Sequence, residues 1–85
     1  MIFSMKHAGR EALDRLAPLI EELRSTAGLV EKKPGIFYRK SKAFLHFHED
    51  PSGLYADIRV SDEFERRRVE TAKERAAFLS LVRRL

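Results

Sequence analysis

The chain has no cysteine and no tryptophan, and only three prolines and four glycines among its 85 residues. Without cysteine there is no disulfide framework, no thiolate nucleophile and no Cys-ligated zinc, and the cytoplasm is the expected compartment. No apolar run approaches the roughly 20 residues needed to span a bilayer, so no membrane segment is expected. The opening stretch MIFSMKHAGREALDRL lacks the apolar core of about 7–15 residues that marks a secretory signal. The glycines, Gly9, Gly28, Gly35 and Gly53, stand alone, so no Gly-rich phosphate loop is present. A strong charge of one sign is missing too. The net charge is +4, from 17 Lys and Arg against 13 Asp and Glu, spread along the whole chain. The one dense basic cluster, Arg66-Arg67-Arg68, is flanked by Glu63, Glu65 and Glu70 and reads as a salt-bridged, solvated surface.

What is present suits one small globular domain over residues 1–85. The apolar fraction is 44%, with six phenylalanines, which argues against disorder. A chain of this length buries about 60–65% of its unfolded surface, so the core is thin.

Leu13, Leu16, Ala17, Ile20, Leu23 and Ala27 recur at helical spacing. Ser4 is a candidate cap, and Gly28 with Leu29 behind it reads as a left-handed terminator and its apolar follower. Pro18 lacks a backbone donor and pushes against the preceding turn, which predicts a kink or break near Ala17-Pro18. Lys32-Lys33-Pro34-Gly35 reads as a turn. The period then becomes two. Ala43, Leu45 and Phe47 alternate with Phe44, His46 and His48, while Leu54, Ala56, Ile58 and Val60 alternate with Tyr55, Asp57 and Arg59. The turn formers Asp50-Pro51-Ser52-Gly53 join these runs into a hairpin. Ile36–Lys40 precedes them as another strand, with either Phe37 or Tyr38 on the core face according to loop length. Further on, Thr71 and Glu74 have capping-box spacing, which favours a strand over Phe64–Glu70 followed by a helix from Ala72 over one long helix from Asp62. The expected fold is α+β: an N-terminal helix, an antiparallel meander of three to four strands and a C-terminal helix, with both helices on the Leu45/Phe47/Ile58/Val60 face.

The hairpin register sets His46 opposite Asp57, Phe44 opposite Arg59 and His48 opposite Tyr55, all on the second sheet face. His46, His48, Asp57, Tyr55, Arg59 and Phe44 therefore form the candidate surface site. His46-x-His48 lets two imidazoles share a metal, with Asp57, Glu49 or His7 as the third ligand. His46 with Asp57 also makes a base with an orienting partner, although no serine has the context of a nucleophile. An ionised Asp57 raises the pKa of His46 unless burial opposes it. Rings interleaved with Arg39, Lys40, Lys42 and Arg59 offer stacking beside phosphate contacts.

The order of a helix, the segment Phe37–Phe44 (FYRKSKAF), paired strands, Phe64–Glu70, and a capped terminal helix resembles the MmcQ/YjbR-like domains. The stretch AFLHFHEDPSGLYADIR also looks like a signature of short bacterial proteins. The resemblance implies a small bacterial α+β fold, for which DNA binding has been suggested by analogy, and it carries over no functional residue. The leading expectation is a non-enzymatic interaction module without a cofactor, bound to a protein partner or to a second copy of itself. Weak nucleic-acid binding comes second. A metal-binding or acid–base enzyme using His46, His48 and Asp57 comes third.

Overall fold

A computed structural model describes residues 5–85. The elements run β1 (Lys6–His7), α1 (Arg10–Arg15), α2 (Ala17–Arg24), β2 (Leu29–Lys33), β3 (Ile36–Arg39), β4 (Lys42–Asp50), β5 (Gly53–Val60), β6 (Glu63–Arg68) and α3 (Ala72–Arg84). The fold is α+β with an antiparallel sheet in the order β2-β3-β4-β5-β6, and β1 pairs with β4. Among the described residues, no helix is long and apolar enough to cross a membrane.

The N-terminal helical segment is broken where Pro18 requires it. α1 ends at Arg15 and α2 begins at Ala17, which puts Pro18 in the first turn of a helix, where no intrahelical donor is lost. The cap expected at Ser4 lies outside the described residues, and α1 starts after Gly9. Ala12, Leu16, Leu19, Ile20 and Leu23 from this pair of helices join Phe37, Leu45, Phe47, Ala56 and Ile58 of the sheet in one core. Phe78 and Val82 bring α3 to the same side, with the Phe47 and Phe78 ring centroids 6.4 Å apart. All three helices therefore cover one face of the sheet.

The meander is longer than the sequence pattern suggests. Two strands, β1 and β2, lie outside the expected three or four. Gly28 is left-handed (φ +88°) but does not terminate the helix as expected: α2 ends at Arg24 with Ser25 as its C-cap, and Leu29 opens β2, which pairs with β3. Lys32-Lys33 belongs to that strand, and only Pro34-Gly35 is left to turn. Glycine is favoured here: its φ is +75°, and a Cβ would stand 2.6 Å from Leu13 Cδ2, which would have to move. A short, polar edge strand has too little alternation to be read from its pattern.

The β3–β4 turn is Lys40-Ser41, both left-handed at φ 50° and 67°, as a two-residue hairpin of the primed type requires. That turn pairs Tyr38 with Ala43, yet Phe37 pairs with Leu45. The difference is Phe44, an extra residue that bulges β4 and resets the register. Phe37 consequently faces the core. Phe44 was expected on the second face, but the bulge turns it inward as well, and it is 5% exposed within the core cluster.

The C-terminal region divides between strand and helix. β6 pairs with β5 along Glu63–Arg68, and Val69 N–H donates to the Leu54 carbonyl at 2.8 Å. Thr71 then closes a complete capping box with Glu74 at the start of α3.

Candidate functional site

The helix-free face of the sheet is assembled by strand alternation. Leu45, Phe47, Ala56 and Ile58 point to the helices, so His46, His48 and Asp57 point away from them. The observed register sets His46 opposite Asp57 and His48 opposite Tyr55, as expected from the loop. β1 then adds His7 opposite His48, and β6 adds Arg66 opposite Asp57. Four strands thus converge on one point.

Three imidazoles meet there. The ring centroids of His46 and His48 are 4.8 Å apart, those of His7 and His48 4.8 Å, and those of His7 and His46 5.6 Å. Phe64 closes one side with its ring edge-on to His46 at 5.0 Å, and the Arg59 guanidinium lies over Phe64 at 4.6 Å. Asp57 Oδ2 is 3.2 Å from His48 Nε2 and 3.6 Å from His46 Nε2. Arg66 grips the same carboxylate with two hydrogen bonds, Nε to Oδ1 at 2.8 Å and Nη2 to Oδ2 at 2.9 Å. This bidentate geometry fixes the plane of the carboxylate.

His48 is the most enclosed member, with its side chain 8% exposed. Among the described residues, neither of its ring nitrogens completes a hydrogen bond. Buried polar atoms are nearly always satisfied, so two on one ring call for an explanation. Burial lowers the pKa of His48, against the opposing pull of Asp57. Burial also lowers that of His46, helped by the neighbouring His48 and opposed by Asp57. The rise expected at His46 from Asp57 is therefore reversed: losing water costs the imidazolium more than one carboxylate returns. Burial pushes the Asp57 carboxyl up, but the hydrogen bonds and charge of Arg66, with the two histidines, outweigh it and hold the group below its ordinary value. These shifts favour the neutral form of His46 and His48 beside an ionised Asp57.

The other expected members part company. The Tyr55 hydroxyl is shared with Ser52 Oγ at 2.7 Å. Glu49 points to the helical side, where it accepts the Gly9 N–H at 2.6 Å, and so it is not the third ligand. Phe44 leaves the surface site for the core. Arg59 stays on the face, with its Nε donating to the Ala43 carbonyl at 2.8 Å.

Arg39, Lys40, Lys42 and Arg59, named from the sequence as phosphate contacts, line one open cleft with Phe44, Ser61 and Leu85. Among the described residues, no acidic side chain lines it.

Arg66 and Phe64 were absent from the sequence-derived site. Within the basic triplet, Arg67 pairs with Glu65 and Arg68 with Glu74, which is the salt-bridged surface expected of the run. Arg66 instead points to the opposite face from Arg67. A register for β5–β6 carried through the Ser61-Asp62 turn is the signal that places Arg66 beside Asp57 and Phe64 beside Arg59. No family model, no curated protein and no solved structure matches the chain, so the functional reading rests on the geometry of this face.

Proposed function

We propose that the chain is a non-enzymatic interaction module that works through the helix-free face of its sheet, with a second copy of the chain as its first partner. One observation carries this reading. The large apolar side chains left exposed among the described residues are Val30, Phe64 and Leu85. Phe64 lies on this face with His46, and Val30 lies there opposite Tyr38. The two stand on the end strands β2 and β6, and exposed apolar side chains on a face that no described helix covers suit it to association. Sedimentation velocity over a concentration series tests the reading. The expected result is reversible self-association that Phe64→Glu abolishes while circular dichroism stays native. A monomer at every concentration refutes it.

A second reading, weak nucleic-acid binding, is favoured by the cleft of Arg39, Lys40, Lys42 and Arg59, a gathering of positive charge that composition alone does not show. It leans the same way as the resemblance to MmcQ/YjbR-like domains. Fluorescence anisotropy with random single-stranded DNA tests it. Phosphate contacts release counterions, so binding through this cleft weakens steeply with salt, and Lys40→Glu with Lys42→Glu abolishes it. Salt-independent binding, or binding unaffected by those changes, counts against this reading.

A further inference from the structure

We infer that His46, His48 and Asp57 form a three-ligand binding site for a divalent transition metal of the zinc class. The donor atoms of the three residues all lie within 4.8 Å of one another. Ligands about 2.0–2.1 Å from a tetrahedral zinc stand roughly 3.3–3.4 Å apart. The two edges that meet at Asp57 Oδ2 measure 3.2 and 3.6 Å and bracket that value.

A second observation points to the same occupant. His48 is 93% buried by residue, and its Nε2 faces Asp57 Oδ2 without completing a hydrogen bond. A cation between them gives this nitrogen the partner it lacks. The donor set suits a borderline metal: two imidazoles and one carboxylate match zinc, whereas calcium and magnesium prefer oxygen ligands alone. Burial lowers the pKa of His46 and His48, which favours the neutral form that coordinates.

The outer shell is also in place. Arg66 fixes the Asp57 carboxylate through both oxygens, and such orienting partners are a regular part of metal sites. Oδ2 retains a lone pair for the metal after accepting from Arg66. The positive charge of Arg66 opposes a cation, which makes the site one of moderate affinity. His7, with its ring centroid 4.8 Å from that of His48, borders the site from β1. The metal site stands whether or not the same face docks a protein.

The test uses the full chain stripped with EDTA and titrated with Zn²⁺ by calorimetry, with ¹⁵N–¹H spectra recorded in parallel. The expected result is one Zn²⁺ per chain, with perturbed amides centred on residues 46–48 and 57. His46→Gln and Asp57→Asn should each weaken binding about tenfold or more, the scale on which metal sites lose affinity when even a supporting partner is removed. Absence of Zn²⁺ uptake overturns the inference. So does equal affinity in a variant whose spectrum stays native, or a perturbation map centred elsewhere. If both variants unfold, the map on the unaltered chain still decides.

Discussion

Phe44 shows how one residue changes sides. Strict alternation puts it beside His46 on the open face, but the bulge in β4 places it in the core at 5% exposure. Phe44→Ala is therefore expected to cost about 3–5 kcal/mol, as a buried phenylalanine does, and not the smaller amount expected of a surface ring. Chemical denaturation of this variant beside Leu45→Ala checks it: comparable losses support the inward placement, and a loss below about 1 kcal/mol contradicts it. His46 and His48 carry a pH signature of their own. In the unfolded chain an imidazole protonates near ~6.5, whereas in the fold both histidines hold the proton less tightly. Just below that pH the unfolded chain binds more protons, so the metal-free protein should lose stability as pH falls through the unfolded value, and this loss ends below the folded one. Asp57, with its pKa lowered, adds a second loss as pH falls below its unfolded value of ~3.9. Urea midpoints between pH 8 and 4 in EDTA measure the first loss, and a midpoint constant through that range contradicts it.

At the scale of elements, legibility followed the strength of the local signal. The β4–β5 hairpin was readable because two long alternating runs and one compact turn define a single register, and the cross-strand neighbours His46 and Asp57 followed from it. The start of α3 was readable because Thr71 and Glu74 make a local, reciprocal cap. Thr71→Ala is expected to cost about 1 kcal/mol, read as a shift in the denaturation midpoint; an unchanged midpoint would mean that tertiary packing holds the first turn without the cap. β1 and β2 were not readable. β1 is two residues long, and β2 offers only Leu29 and Val30 as apolar residues, so neither shows a period; their pairing depends on partners far along the chain. The same limit hid His7 as a ring neighbour of His48, although it was within view as a ligand. The Phe44 bulge is a feature of paired strands and leaves no mark in the alternation of one strand. Gly35 is the most exacting single position among the turns. Gly35→Ala combines a left-handed backbone with a contact that Leu13 must relieve, and it is expected to destabilise by more than the ~1 kcal/mol that Gly-to-Ala changes at unstrained positions contribute to stability.

The whole molecule is two layers with a division of labour. Helices and the inward side chains of the sheet make the core, and the outward side chains are free to carry polar and aromatic groups that packing alone does not require. The described residues span 35 × 26 × 23 Å, small enough that the open face and the basic cleft meet at Arg59, which lines the cleft and lies over Phe64 on the face. The central claim is that His7, His46, His48 and Phe64 gather on the face that the helices leave bare. Nuclear Overhauser contacts among their ring protons in the metal-free protein test it most directly. The account predicts cross-peaks for His7–His48, His46–His48 and His46–Phe64, whose ring centroids are 4.8, 4.8 and 5.0 Å apart, and none from His46 to Phe78 or Leu16. Cross-peaks from His46 to those two core residues, without the contacts among the rings, would place the cluster on the wrong side of the sheet and contradict the account.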